Sequence, residues 1–233
     1  MVNSVFCMLN KIQYAVLAAT MLLTAGVVSA ANRSSAGLYA ANQGSESISA
    51  GNQGSDDILE RISEGSLSMK TMRCDFRQVR ILPLMDEPQE STGKMLYREP
   101  SAIKWEYKEP FQYSLVIDGD LISIDTQEGT TELSGEAGRM FRGMAGIMLG
   151  SMSGDYLKES RTFQVTVTEE EGEWIVLLIP QRRDLKRIYS MITMVFDPDT
   201  SLLKRLTMTE QGGGSTEITI SNVSINGDYE AEW

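Results

Sequence analysis

The side chains able to do acid–base, nucleophilic or metal chemistry are sparse in this chain, and their spacing argues against an active site. There is no histidine among the 233 residues, which removes the commonest general base, proton shuttle and metal ligand. A Ser-His-Asp or Cys-His relay cannot be assembled, and zinc would need an all-carboxylate or cysteine set that the sequence does not group. Cys74 stands next to Arg73, a neighbour that could lower a thiol pKa. A lone cysteine on an alternating strand is more often a small buried hydrophobe, and it is read that way here. The acids cluster as Asp118/Asp120, Asp197/Asp199 and Glu169 to Glu171, always beside Gly or Pro. There a carboxylate nucleates a bend, and a calcium loop would want more oxygens at tighter spacing. No catalytic residue, metal or cofactor is expected.

The elements that carry these residues are legible from their period. In Ile103-Lys104-Trp105-Glu106-Tyr107-Lys108, large apolar side chains alternate strictly with charges, the pattern of a half-buried antiparallel strand. Pro100 and Pro110 close two such runs, and Asp118-Gly119-Asp120 closes a third. About eleven strands are predicted, near 72–81, 91–98, 102–108, 112–118, 121–126, 129–134, 162–168, 173–179, 188–196, 202–210 and 215–225. Hairpins at such regular spacing imply a mainly β, α+β domain in which one large antiparallel sheet curls into an open half-barrel. Asp56-Asp57 reads as the start of an N-terminal helix with Ile58, Ile62 and Met69 on one face, weakened in the middle by Gly65. The run Glu173 to Ile179 is apolar on both faces and predicts cover on both.

One segment breaks the strand rhythm. In Glu136 to Tyr156, Met140, Met144, Met148 and Met152 recur every four residues, so they share a helical face. Packing of a helix on a sheet explains such a stripe. Methionine also recurs on surfaces that accommodate variable apolar shapes, so a soft lid over a cavity is the sharper reading. The basic run Arg182-Arg183-Asp184-Leu185-Lys186-Arg187 is either a solvated loop or a docking patch for an acidic partner.

The N-terminus indicates the compartment. Lys11 precedes an almost wholly apolar run from Ile12 to Val28, and Val28-Ser29-Ala30 offers the small residues of a cleavage site. Residues 1–30 are read as a secretory signal, Cys7 leaving with it, and the Ser/Gly/Asn-rich stretch 31–55 as a flexible tether. Residues 56–233 form the domain, about 180 residues with room for a sizeable core. With a single remaining cysteine the exported chain has no internal disulfide and must be stabilised by burial. The net charge of −11 becomes −12 once Lys11 is removed, which argues against nucleic acid and against tight binding to anionic headgroups. Such a surface suits transient contact with a membrane, and a monomer is expected.

Several short motifs in order resemble the periplasmic outer-membrane lipoprotein carrier family, LolA and its relatives. The likeness runs from Asp75-Phe76-Arg77-Gln78 through Gly93, Pro100, Trp105 and Pro110 to Val116-Ile117-Asp118-Gly119. It continues more weakly through Leu178-Ile179-Pro180, Val195-Phe196-Asp197 and Ile218 to Val223. The resemblance implies an open half-barrel closed by helices that holds acyl chains and hydrolyses no nucleotide. It further implies lipoprotein cargo moved through the periplasm from an inner-membrane release complex to an outer-membrane acceptor. On this reading Phe76, Tyr97, Trp105, Tyr107, Leu115, Ile117 and Trp174 line the cavity under a lid of Met140, Met144 and Met148. Arg182, Arg183, Lys186 and Arg187 would dock partners. The family's lid-tethering arginine directly precedes the first proline; here Glu99 holds that position and Arg98 lies one residue earlier, on the opposite face of the strand. Two other functions fit the same half-barrel: a dedicated carrier of another lipid or glycolipid, and an envelope-stress sensor.

Overall fold

The computed structural model describes residues 51–83, 85, 87–134 and 161–233, the first three as backbone only. The expected signal, most of the tether and the methionine stripe with Met140, Met144 and Met148 lie outside the described residues. The chain divides into Met1–Gly54 and Ser55–Trp233, and the sheet belongs wholly to the second unit. Helix α1 (Gly51–Leu67) leads into β1 (Thr71–Ile81), β2 (Gln89–Arg98), β3 (Ala102–Glu109), β4 (Tyr113–Asp118), β5 (Leu121–Thr126) and β6 (Gly129–Glu132). Then follow β7 (Phe163–Glu170), β8 (Glu173–Pro180), the single turn α2 (Arg183–Lys186), β9 (Tyr189–Phe196), β10 (Leu203–Glu210) and β11 (Ser215–Ile225). A 3-10 turn over Glu230–Glu232 ends the chain. Every predicted strand is present, with ends within two residues of the expectation.

The strands form one sheet in the order β6-β5-β4-β3-β2-β1-β11-β10-β9-β8-β7. All pairings are antiparallel, and the edge strands β6 and β7 do not pair with each other. First and last strands meet in the centre, so only the connection from β6 to β7 passes from one edge to the other. The turns follow from backbone chemistry. Glu171 and Gly172 both take positive φ between β7 and β8, as a two-residue primed hairpin turn requires. In the β9–β10 loop Asp197 Oδ1 accepts from the backbone N–H groups of Asp199 and Thr200, each at 3.0 Å, and from the Thr200 hydroxyl. Those bonds hold its carboxyl below the usual range; this is the expected structural role of the paired acids.

Burial is one-sided. In β1, Met72, Cys74 and Phe76 are buried while Arg73, Asp75 and Arg77 are not; Leu96, Ser123 and Val195 are buried on the outer face. The core lies mainly on the inner face. Strand β8 departs from expectation. Trp174, Val176 and Leu178 are buried, but Ile175 and Leu177 are half-buried and Ile179 is 37% exposed. On the outer side Ile175 and Leu177 stand opposite Val195 and Thr193 on β9, and Ile179 stays exposed, so the apolar composition is not matched by full cover of both faces among the described residues.

Helix α1 begins at Gly51, more than a turn before Asp56. Carboxylates are favourable throughout the first turns of a helix, so Asp56-Asp57 marks its N-terminal region and not its first residue. The helix lies against β7–β11. Ile62 is fully buried, Arg61 donates to the Pro198 carbonyl at 2.9 Å, and its guanidinium sits 4.4 Å from the Trp174 ring. Gly65 is a contact and not merely a weak point, since a Cβ there would stand 3.0 Å from the Ser201 Cβ.

Candidate functional site

The inner face is assembled in rows of cross-strand partners. Met72, Tyr97, Ile103, Ile117 and Ile122 stand opposite one another across β1–β5. The next row is Cys74, Met95, Trp105, Leu115 and Ile124. A third is Ile220, Phe76, Gly93, Tyr107 and Tyr113. Unbroken register puts all of these on one side, and all but Tyr113 are buried. Every expected wall position within the described residues is therefore a buried inner-face residue.

The structure does not bring all of them together. Phe76 meets Trp105 edge-on at 5.2 Å between centroids and Tyr107 at 5.1 Å. Tyr107 stacks on Tyr113 at 4.5 Å, a partner that the alternation in Ile103 to Lys108 did not reveal. Tyr97, Leu115 and Ile117 flank this cluster. Trp174 stands apart on β8, paired with Phe196 and covered by Arg61. At the C-terminal end of α1 a cavity lined by Ser66, Met69, Met72, Phe196 and Leu203 measures about 20 Å³, room for no more than a water.

Gly93 is the residue that makes the cluster possible. A Cβ there would overlap the Glu106 carbonyl oxygen and reach within 2.8 Å of the Phe76 ring. The ladder slips at Thr92/Gly93 on β2 against β3, and the aromatic ring covers the bare backbone. Burial controls the titratable groups nearby. The Cys74 thiol is pushed up to about 12 by burial, and further by Asp75, so it is a neutral hydrophobe. The Tyr107 phenol is raised by burial and donates to Gln78 Oε1 at 3.1 Å. Trp105 Nε1 is buried without a hydrogen-bond partner.

Arg98 faces outward, as its one-residue offset requires. It pairs with Glu230 at 3.0 Å and Asp118 at 3.4 Å, and its guanidinium lies 4.5 Å from the Trp233 ring. Arg73 reaches Glu232 at 3.0 Å, and Lys104 Nζ donates to the Glu232 carbonyl at 2.7 Å. The last residues are thus strapped over the outer face of β1–β3, where outward-pointing Leu96 is buried. The basic run forms the β8–β9 loop around α2 with all four cations exposed. Arg182 pairs with Asp184 at 2.7 Å and Lys186 donates to Gln181 at 3.4 Å.

No helix among the described residues is long and apolar enough to cross a membrane, and no cluster of metal-ligating side chains occurs among them. A single large antiparallel sheet of eleven strands that does not close, with one apolar inner face, defines the fold class. The chain belongs to the outer membrane lipoprotein carrier protein LolA family, whose model matches residues 67–233. It is 26% identical over 159 residues to the outer-membrane lipoprotein carrier protein of Methylococcus capsulatus, covering 67% of this chain and 72% of that protein. To the protein of the same description in Pseudomonas fluorescens it is 24% identical over 169 residues, covering 71% and 77%. Among solved structures, Pseudomonas aeruginosa MucB in its MucA complex superposes with a TM-score of 0.46 at 13% identity, over 77% of this chain and 60% of that one. A LolA superfamily protein of Nitrosomonas europaea gives 0.42 at 9% identity, over 76% and 96%. Family membership and homologues together support a lipid- or lipoprotein-binding carrier role.

Proposed function

We propose that this chain is an exported carrier that shelters the acyl chains of lipoproteins against its inner face and moves them from the inner to the outer membrane. The observation that carries the reading is the row-by-row apolar inner face of a sheet whose two edge strands do not pair with each other. The aromatic half around Phe76, Trp105 and Tyr107 is the acyl-binding surface, since α1 already covers the opposite end. The Met140, Met144 and Met148 stripe lies in sequence between β6 and β7, the two edge strands, which suits a role as the soft cover. Residues 1–30 serve as the export signal, and the tether expected over 31–55 stops at residue 50, where α1 begins.

Magnitudes constrain the mechanism. Burial of acyl chain contributes about 0.8 kcal/mol per CH₂, so two or three chains fully buried would exceed the roughly 18–21 kcal/mol at which non-covalent affinity saturates. The carrier therefore holds its lipid imperfectly, and cargo passes by direct hand-off from a release complex and to an acceptor. Docking falls to one end of the sheet. Arg182, Arg183, Lys186 and Arg187 lie there in the β8–β9 loop, beside exposed Ile188. Exposed Ile81 and Met85 follow β1 at the same end. A basic and apolar rim on an acidic molecule suits brief contact with a partner or membrane surface.

Incubation of the full chain with a triacylated lipopeptide in vesicles tests this. A soluble complex recovered free of vesicles is expected; a chain that extracts none contradicts it. Met144→Glu should abolish that uptake with an unchanged thermal midpoint, whereas unfolding would place Met144 in the core.

A further inference from the structure

Among the described residues, three buried side-chain polar atoms lack any hydrogen-bond partner: Arg80 Nε, Thr216 Oγ1 and Trp105 Nε1. All three residues lie on the inner face, because Arg80 shares the parity of Cys74 and Phe76 on β1, Thr216 is its cross-strand partner, and Trp105 is in register with Cys74. Buried polar groups are nearly always satisfied, and an exception asks for an explanation. Arg80 and Thr216 supply two unused polar functions on directly opposed residues, whose Cβ atoms such pairing holds about 5 Å apart. Both are buried, at 5% and 1% exposure.

The surroundings select the ligand. Arg80 Nη2 meets Glu210 Oε1 at 3.5 Å, with Glu210 also buried. The carboxylate is built in: the Glu210 backbone N–H donates to the Gly214 carbonyl at 2.8 Å, and a Cβ on Gly214 would stand 3.1 Å from Glu210 Oε2. Glu210 already neutralises the guanidinium, so a further anion entering this face would meet a carboxylate without gaining a free cation. An uncharged acceptor meets no such opposition. Arg80 Nε–H and the Thr216 hydroxyl are both donors, whereas an alkyl chain or an ether oxygen offers little to either.

We propose that Arg80 and Thr216 form a polar subsite that hydrogen-bonds the carbonyl oxygen of an acyl ester or amide, fixing the linkage end of a lipid whose chains run along the apolar rows. This rests on the carrier reading and deepens it. The subsite lies one residue from exposed Ile81, at the rim that carries the basic loop, so the linkage end of the cargo faces the docking end. Distance along β1 separates the subsite from the aromatic cluster. Arg80 is four residues beyond Phe76, roughly 13 Å at strand rise, so a linkage held at Arg80 would direct its chain along the inner face toward the aromatic cluster.

The test compares the full chain binding a fluorescent diacyl glycerophosphocholine and its dialkyl ether analogue of equal chain length. The ester is expected to bind about tenfold tighter, as one or two hydrogen bonds made in a dry site should give. Thr216→Val should reduce that preference several-fold without lowering the thermal midpoint, because it deletes a hydroxyl that nothing satisfies. Arg80→Met alone would strand Glu210, so it is paired with Glu210→Leu, and the double variant should bring the ratio close to one. Equal binding of ester and ether by the native chain, or a ratio that both variants leave intact, overturns the subsite while the carrier reading stands. Failure to bind either lipid overturns both. A triacylated lipopeptide run beside the phospholipid separates sources: tighter binding with the same dependence on Thr216 assigns the carbonyl to lipoprotein cargo, and equal binding assigns it to acyl esters generally.

Discussion

Gly93 and Phe76 show how one missing side chain shapes the inner face. Gly93→Ala forces a methyl into the Glu106 carbonyl and the Phe76 ring, and overpacking of this kind costs about 1–3 kcal/mol. A fall in the urea midpoint with weaker acyl binding is expected, and an unchanged midpoint would show that β2 relaxes freely. Cys74 gives a second residue-scale prediction. At 1% exposure, with its thiol pushed up to about 12, it should resist a thiol reagent at pH 8 until the chain unfolds, as mapped by peptide. Rapid native labelling would contradict the inner-face placement. The aromatic wall was legible because large rings at a period of two leave one strand orientation. Arg80 and Glu210 were not, since alternation rules treat a charge as a vote for the outer face. Strict parity with Cys74 and Phe76 was the signal that could have found them.

Among the elements, the strands were readable almost to the residue because Gly, Pro and Asp mark their turns. The C-terminal strap was not, because its attachments are long-range pairs of Arg73, Arg98 and Lys104 with a segment of no periodicity. Leu96 carried the only hint, an apolar residue between Lys94-Met95 and Tyr97-Arg98 on the wrong parity. Arg98→Ala removes two partly exposed ion pairs and a cation–π contact, together about 0.5–1.5 kcal/mol. It should speed amide exchange in Tyr229–Trp233 and leave lipid uptake intact. Lost uptake at unchanged stability would instead make Arg98 a tether of the cover.

At the scale of the molecule, four titratable groups, three of them buried and Tyr113 half-buried, act in one direction. Cys74 and Tyr189 are pushed up to about 12, and Tyr107 and Tyr113 are raised as well, burial being the main cause in each. The unfolded chain loses these protons from about pH 8.5–10, whereas the folded chain keeps them. Stability is therefore full at neutral pH and falls as pH rises through 9 toward 12. Urea midpoints at pH 7, 9 and 10.5 should decrease in that order, and a rise would refute this assignment of burial. One apolar face, one open sheet and a net charge of −11 are the features that the proposed carriage of apolar cargo calls for. The most direct test is native mass spectrometry of the protein recovered gently from its own cell envelope. A bound mass equal to an acylated lipoprotein is the predicted result. A free lipid or glycolipid would transfer the role to a dedicated lipid carrier, and an empty protein that takes up no lipid on challenge would contradict the account.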